Sequence, residues 1–233
     1  MKQLTLISGA AGGIGSCISQ HMLQKKRNLL LLDNDPNLLE ELKSILHFNG
    51  QDIFYELVDI RDNLSVKKVV QKYQTDFKID TLINCAGISV DGTSEIDYQL
   101  FRKMMDVNFW GCFNTIAAVL PSMCQQEYGY IINIVSQSGK RARAKTGAYA
   151  ATKFALMGYI EGLQKELANC GIKISALCPG MVNTRQTDDE PDYDKQKMIQ
   201  PQELLNAIDF LLSIPANVSV KEVIYECVQQ IKE

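Results

Sequence analysis

Tyr149 and Lys153 lie four residues apart in the segment TGAYAATKFALMGY, residues 146–159, where the spacing of apolar residues predicts a helix. Side chains at positions i and i+4 share a helix face, so the lysine ammonium can lie close to the tyrosine hydroxyl. A free tyrosine titrates near 10 and is a poor base at neutral pH unless positive charge stabilises its phenolate. The spacing fits a proton-transfer pair or the polar edge of an amphipathic helix, and Tyr193 with Lys197 repeats it.

A glycine-rich turn is the second sequence feature that could take part in ligand binding. The stretch SGAAGGIG, Ser8 to Gly15, follows an apolar run and leads into a predicted helix at Ile14. Glycine lets a backbone turn sharply and approach a pyrophosphate closely, while the helix amino terminus presents free N–H groups and the positive end of its dipole. The strand-turn-helix context predicts a dinucleotide-binding turn.

Asp33 ends the second apolar run, 18 residues after Gly15. A carboxylate at this place accepts hydrogen bonds from the adenosine ribose and repels a 2′-phosphate. Its neighbours Asn34 and Asp35 bring no positive charge, and neither does the glycine turn. The sequence therefore favours NAD as the cofactor over NADP.

Short apolar runs alternate with longer segments in which apolar residues repeat at helical spacing. Together these runs and segments predict one fold class. The predicted strands are 4–8, 28–33, 52–59, 81–84, 130–136 and 172–179, the crossover helices fall in 13–27, 36–49, 62–77, 97–126 and 146–170, and the tail adds a helix at 203–215 and an edge strand within 220–228. Strands that are apolar throughout are buried on both faces. We expect an α/β fold, a Rossmann-type doubly wound parallel sheet of about seven strands with helices on both faces.

Composition narrows the function classes. The chain has 233 residues, 46% of them hydrophobic, and a formal net charge of -3, which indicates one globular domain over residues 1–233 and gives no basic surplus for nucleic acid. The apolar stretch before the first glycines is too short for a signal peptide or a membrane span, so we expect a cytoplasmic protein. Seven cysteines without a C-x-x-C pair fit reduced thiols better than disulfides or metal ligands.

Six motifs together resemble the short-chain dehydrogenase/reductase family, from about residue 3 to residue 184. They are SGAAGGIG, NCAG at 84–87, Asn108, Ser136, YAATK at 149–153 and PGMVNT at 179–184. Ser136 precedes Tyr149 by thirteen residues, as in the family pattern, whereas Gly180 holds that place before Tyr193. The resemblance therefore favours the pair at Tyr149 over the pair at Tyr193.

The resemblance implies a role for each residue of a catalytic tetrad. Tyr149 would be the general acid and base, and Lys153 would stabilise its phenolate and hold the nicotinamide ribose. Ser136 would bind the substrate oxygen, and Asn108 would hold a water that completes the proton path.

It also implies a set of cofactor contacts beyond Tyr149, Lys153 and Asp33. These are Ser8, Gly9, Gly13, Ile14 and Gly15 in the turn, Asn84, Ala86 and Gly87 at the adenine ribose, Asp59 and Ile60 at the adenine edge, and Pro179, Gly180, Val182 and Thr184 at the carboxamide. Ser8 replaces the usual threonine and keeps its hydroxyl, while Cys85 stands where the family often has asparagine and leaves one hydrogen bond in doubt.

Two loops bear on the substrate. Lys140, Arg141, Arg143 and Lys145 either attract an anionic substrate or belong to a solvated loop or a subunit contact. The polar stretch 185–200 is either a lid or a surface loop. Because it offers little apolar surface, we expect a small alcohol or carbonyl as the substrate.

Two function classes remain. The first is an NAD-linked oxidoreductase that interconverts an alcohol and a carbonyl. The second is a non-catalytic dinucleotide-binding sensor or scaffold on the same fold, which would tend to lose the tyrosine or the lysine. Both are present, which favours the enzyme. The family resemblance further implies a homodimer or homotetramer, formed through the helices at 98–126 and from 146.

Overall fold

A computed structural model describes residues 1–47, 50–188 and 194–232. Seven strands lie in this part of the chain: β1 (Lys2–Ser8), β2 (Asn28–Asp33), β3 (Ile53–Leu57), β4 (Phe77–Asn84), β5 (Gly129–Ile134), β6 (Ile172–Pro179) and β7 (Glu222–Tyr225). They form a parallel sheet in the order β3-β2-β1-β4-β5-β6-β7. The predicted α/β fold is confirmed, and the last strand lies at the sheet edge as expected.

The helices between the strands are α1 (Gly13–Gln24), α2 (Pro36–Ile45), α3 (Asn63–Gln74), α4 (Tyr98–Met105), α5 (Cys112–Gln126), α6 (Gly147–Glu166) and α7 (Leu205–Ser213). A π-helical turn, Asp106–Gly111, joins α4 to α5. Each of the seven helices falls in a predicted helical segment. Residues 48 and 49 of the segment 36–49 and residues 189–193 of the stretch 185–200, predicted as a lid or a surface loop, lie outside the described residues.

Apolar side chains cover both faces of the sheet. One buried cluster includes Val66 of α3 and Ile160 of α6. The other includes Ile18 of α1 and Ile208 of α7. Helices therefore pack on both sides, which is the doubly wound arrangement.

Strand β4 begins four residues earlier than predicted. Lys78 and Asp80 interrupt its apolar pattern, yet this segment pairs with the start of β1. Asp80 is buried, and an ion pair with Arg27 compensates part of its charge. Burial raises the pKa of Asp80, and Arg27 opposes that shift.

The carboxyl ends of the central strands position the functional groups. β1 leads into the glycine turn, β2 ends at Asp33, and Ser136 follows β5 by two residues. The strand order reverses between β1 and β4, where doubly wound folds bind their ligands. No helix among the described residues is long and apolar enough to cross a membrane.

Candidate active site

Two positions of the turn between β1 and α1 require glycine. Gly9 has a φ of +63°, and a Cβ on it would lie 2.6 Å from the backbone of Ala86. A Cβ on Gly15 would lie 2.0 Å from the carbonyl oxygen of Gly9. Gly12, at the amino terminus of α1, has no side chain to cap the helix. The first backbone N–H groups of α1 are thus left to an outside acceptor.

A cleft of about 310 Å³ lies beside this turn. Of the predicted cofactor residues, Gly9, Gly13, Ile14, Gly15, Gly87 and Thr184 line it. A Cβ on Gly12 would meet only the Gly9 carbonyl oxygen, at 3.4 Å, so a side chain there would occupy the cleft. The free helix N–H groups and the open glycine surface fit the pyrophosphate of a dinucleotide.

One wall of the cleft was missed by the sequence reasoning. Leu38, Glu41, Leu42 and Ile45 of α2 and Arg185 after β6 also line it. The three apolar residues repeat at helical spacing, a pattern that reads as core packing. The sequence carried no separate signal for their position in the cleft.

Asp33 is fixed against the glycine turn. Its Oδ2 accepts a hydrogen bond from the Ala11 N–H at 2.9 Å, and its Oδ1 accepts from the N–H groups of Asn34 and Asp35 at 2.8 and 3.1 Å. The side chain is buried, with 8% exposure of the residue. The carboxylate is held rigidly at the carboxyl end of β2, where the adenosine ribose was expected.

Tyr149 and Lys153 lie in the first turns of α6, as the sequence predicts. The Lys153 Nζ lies 5.6 Å from the centre of the Tyr149 ring and 3.5 Å from the carbonyl oxygen of Ile134. Lys153 is 3% exposed. None of the carboxylates that the structure describes forms an ion pair with it. Its charge therefore acts on the tyrosine ring and on whatever binds beside it.

Gly87 marks the point where the site residues converge. A Cβ on Gly87 would lie 3.4 Å from both the Lys153 Nζ and the Asn108 Oδ1. Gly87 also lines the cleft beside the glycine turn. The lysine and the asparagine are thus adjacent to the cleft, and a side chain at Gly87 would take up part of the space between them and a ligand.

Asn108 is held by two neighbouring segments. It lies in the π-helical turn, and its Nδ2 donates to the Ile88 carbonyl at 2.9 Å and to the Thr152 Oγ1 at 3.0 Å. Its Oδ1 accepts from the Ile88 N–H at 2.8 Å. Both amide hydrogens are used, so the water expected here would bind the remaining acceptor site of Oδ1. Single turns of π-helix are frequent at functional sites.

Ser136 follows β5 on a turn that packs against α6. Its Oγ accepts from the Ser138 N–H at 3.0 Å. A Cβ on Gly139, in the same turn, would lie 3.1 Å from the carbonyl oxygen of Lys153. The hydroxyl of Ser136 retains its own proton for donation to a substrate oxygen.

The side chains of Asn84 and Ser8 belong to a buried hydrogen-bond network. The Asn84 Oδ1 accepts from the hydroxyls of Ser8 and Thr115 at 2.9 and 2.7 Å, and its Nδ2 donates to the Asn133 Oδ1 at 2.9 Å. Asn84 is 4% exposed and Ser8 is fully buried. These side chains join β1, β4 and β5 inside the sheet, so only their backbones are available to a cofactor.

Asp59 and Ile60 do not line the cleft beside the glycine turn. Arg61 donates from Nε and Nη2 to the Asp59 carboxylate at 3.0 and 2.6 Å. These hydrogen bonds hold the pKa of Asp59 below its ordinary value. Ile60 packs against Gly111. An adenine contact by Asp59 would compete with this ion pair.

Most of the residues predicted to contact the nicotinamide carboxamide pack against other parts of the protein. Val182 is buried and forms a bridge with Ile199, and Pro179 is buried at the end of β6. A Cβ on Gly180 would lie 2.1 Å from the Oε1 of Gln230, which accepts from the Met181 N–H at 2.9 Å. Only Thr184 of this set lines the cleft.

Two of the basic residues after Ser136 form ion pairs with glutamates of the last twelve residues of the chain. The Lys140 Nζ lies 2.9 Å from the Glu222 carboxylate, and Arg141 pairs with Glu226. These ion pairs join the segment to β7 and the residues after it. They favour the structural alternative for these two side chains over the capture of an anionic substrate.

The loop after β4 caps the amino terminus of α6. Thr146, the residue before the helix, forms no side-chain cap. Instead the Gly147 N–H donates to the Thr93 Oγ1 at 2.9 Å, and the Ala148 N–H donates to the Gly92 carbonyl at 3.1 Å. The loop after β4 thus caps the first turn of the helix that carries Tyr149, and Thr93 and Gly147 are 54 positions apart in the chain.

Cys85, the departure from the family pattern, lines the cleft. Burial raises the pKa of its thiol, and the nearby Lys153 charge opposes that shift only in part. The thiol is therefore neutral at physiological pH and replaces an amide with a weak hydrogen-bonding group. All seven cysteines are free.

Comparisons with known proteins show which family the chain belongs to. A model of the short chain dehydrogenase family matches residues 3–194. An uncharacterized oxidoreductase of Staphylococcus saprophyticus is 34% identical over 224 residues, which cover 95% of each protein. An uncharacterized oxidoreductase of Staphylococcus aureus is 32% identical over 226 residues, again 95% of each.

Two solved structures are similar over almost the whole chain. A β-ketoacyl-acyl carrier protein reductase from Bacteroides thetaiotaomicron is 31% identical, with a TM-score of 0.86 and full coverage of both chains. An alcohol dehydrogenase from the archaeon Thermococcus sibiricus, complexed with 5-hydroxy-NADP, is 26% identical with a TM-score of 0.87. It covers 98% of this chain and 97% of its own.

Proposed function

Because the chain belongs to the short-chain dehydrogenase family, we propose that it is an NAD-linked enzyme that interconverts a small alcohol and its carbonyl. The convergence of Lys153 and Asn108 at Gly87, beside the glycine-lined cleft, carries this proposal. The nicotinamide, when bound, accepts or supplies the hydride. The glycine turn, Asp33 and Lys153 would hold the dinucleotide.

Tyr149 is the proposed acid and base. The buried Lys153 ammonium stabilises a phenolate at Tyr149 because no described carboxylate neutralises it. The Nζ lies 5.6 Å from the centre of the Tyr149 ring, and a positive charge this near favours negative charge on the tyrosine.

Ser136 and Asn108 would complete the proton path. The Ser136 hydroxyl, whose oxygen already accepts a backbone hydrogen bond, donates its proton to the substrate oxygen. Such a donor positions the substrate and stabilises negative charge that develops on that oxygen. Asn108 would hold a water through the free acceptor site of its Oδ1 and pass protons to and from solvent.

The preference for NAD rests on Asp33. Its carboxylate is rigid and buried, and a 2′-phosphate placed near it would meet a charge of the same sign. Because one similar structure is an NADP complex, NADH and NADPH should be compared directly by fluorescence titration at equal ionic strength. Tighter binding of NADPH would contradict the assignment.

The discriminating experiment for catalysis is Tyr149→Phe. We expect this variant to bind NADH like the wild type and to lose turnover of small aldehydes, ketones and keto acids by several powers of ten. Tyr128→Phe, which removes an exposed tyrosine hydroxyl between α5 and β5, is the matched control. Unchanged turnover in Tyr149→Phe would remove the assigned acid and base, while NADH binding without any turnover in the wild type would favour the sensor or scaffold.

The same proposal includes the organisation of the protein. One sheet takes strands from Lys2 to Tyr225, which supports a single domain over residues 1–233. Free cysteines suit a reducing compartment such as the cytoplasm. Trp110 and Phe154 expose large aromatic surface on the helices expected to join subunits. Light scattering at micromolar concentration tests the homodimer or homotetramer, and a species of 26.1 kDa alone would contradict it.

A further inference from the structure

Arg185 and Glu41 are the only charged side chains among the described residues that line the cleft beside the glycine turn. The Arg185 Nη2 lies 3.1 Å from the Glu41 Oε2. Glu41 belongs to α2 and Arg185 to the turn after β6, so the ion pair joins two walls of the cleft. Arg185 begins the stretch 185–200, predicted as a lid or a surface loop, and no sequence motif marks Glu41.

The ion pair itself is weakly held. The two side chains are 72% and 62% exposed. Ion pairs as exposed as this one contribute little to stability, because water solvates both charges and holding two long side chains costs entropy. Arg185 can therefore exchange its partner at little cost.

The backbone that carries Arg185 is anchored. A Cβ on Gly13 would lie 2.7 Å from the Thr184 side chain, so Thr184 packs directly on the glycine turn. The Thr187 Oγ1 accepts from the Thr184 N–H at 3.2 Å and donates to the Val182 carbonyl at 2.8 Å. The Arg185 side chain is thus the movable part of a fixed turn at the edge of the cleft.

We propose that Arg185 is a cofactor-binding residue that leaves Glu41 and pairs with the pyrophosphate when the dinucleotide binds. This inference rests on the proposed function. A pyrophosphate carries negative charge that the glycine turn meets only with backbone N–H groups and the helix dipole. A guanidinium binds phosphate oxygens in a two-pronged geometry that suits this position.

If Arg185 leaves Glu41 for the pyrophosphate, substitutions of the two residues should change NADH affinity in opposite directions. Arg185→Gln removes the pyrophosphate contact and should weaken NADH binding about tenfold, the usual size of a charge-assisted hydrogen bond. Glu41→Gln removes the competitor and should tighten NADH binding by up to about fivefold. The double variant should bind like Arg185→Gln, because Glu41 acts only through the arginine.

Fluorescence titration of these three variants and the wild type with NADH tests the proposal. ADP-ribose, which keeps the pyrophosphate, should show the same pattern by calorimetry, whereas adenosine should bind all four proteins alike. Lys195→Gln is the matched control, since Lys195 is an exposed basic residue after β6 that pairs with Asp188 and does not line the cleft. Its NADH affinity should equal that of the wild type.

Equal NADH affinities in the wild type and Arg185→Gln would overturn the inference, as would weaker binding in Glu41→Gln. Either result leaves the proposed oxidoreductase intact as long as the wild type binds NADH. A wild type that binds neither NADH nor NADPH would overturn the proposed function and this inference together. Because binding is measured directly, the test is separate from the loss of turnover expected in Tyr149→Phe.

Discussion

Replacing Thr93 by valine should loosen the first turn of α6, which carries Tyr149. The Thr93 Oγ1 accepts from the Gly147 N–H and donates to the Ala144 carbonyl. Valine keeps the shape and removes both hydrogen bonds. Loss of a side-chain cap costs about 1 kcal/mol, and because this hydroxyl is exposed we expect no more than that. For a chain of this size the melting temperature should fall by about 2–4 °C.

Hydrogen exchange locates the effect more sharply than melting. The Gly147 amide should exchange about fivefold faster in Thr93→Val, the factor that corresponds to about 1 kcal/mol. The Ala148 amide, which donates to the Gly92 backbone carbonyl, should change much less. If the proposed catalysis holds, kcat should fall while NADH affinity stays the same, because Tyr149 is displaced and the glycine turn is not.

Two comparison variants make the Thr93 result interpretable. Thr93→Ser keeps the hydroxyl and should restore both the exchange rate and the melting temperature. Thr75→Val removes another exposed threonine hydroxyl, which donates to the Lys72 carbonyl at 3.0 Å far from α6, and should leave the Gly147 amide unchanged. Equal Gly147 exchange rates in Thr93→Val and Thr93→Ser would refute the capping role.

Three further predictions concern stability and the site. Lys153→Met should abolish turnover and raise the urea midpoint of the ligand-free protein, since it replaces a buried ammonium with an apolar chain of similar length; a lower midpoint would contradict this. Asn84→Leu should lower the free energy of unfolding by about 2–4 kcal/mol, because three buried partners lose their hydrogen bonds, and a urea midpoint equal to that of the wild type would show that the network is dispensable. Burial disfavours the charge of Asp209, but Lys25 and His21 outweigh burial and hold its pKa below the ordinary value. The ionised Asp209 therefore contributes fully to stability above about pH 4, and this contribution is lost as the pH falls further. Asp209→Asn should have a lower melting temperature than the wild type at pH 7 and the same melting temperature in strong acid. A difference in melting temperature that does not change with pH would refute the role of these ion pairs.

The parallel sheet could be predicted because most of its strands contain a short, nearly continuous apolar run. β2 has four consecutive leucines between Asn28 and Asp33, and the buried part of β1 has Thr5 as its single polar residue between Leu4 and Ile7. The first half of β4 could not be predicted in this way. Lys78 and Asp80 belong to it, and the partner that compensates Asp80 is Arg27, 53 residues earlier in the chain.

The site shows the same division between local and distant information. The glycine turn depends on spacing within one segment, and the order of motifs along the chain favours the Tyr149-Lys153 pair, so both could be predicted from the sequence. The Arg185-Glu41 pair joins residues 144 positions apart, and no local pattern marks either one. The buried network at Asn84 was likewise out of reach, because a polar residue at a strand end reads as a ligand contact until its partners on other elements are known.

The burial of Lys153 is the strongest physical argument that the site evolved for a ligand. A buried ammonium is costly unless it is paired, and its contacts here are the Tyr149 ring and one carbonyl oxygen at 3.5 Å. An apolar side chain of the same length would stabilise the fold better, as the expected gain in Lys153→Met states. Residues that lower stability persist where they supply function, because selection removes only proteins that fall below the required stability. The charge at Lys153 therefore needs a function that offsets its cost, and the proposed phenolate at Tyr149 together with a bound dinucleotide would provide one.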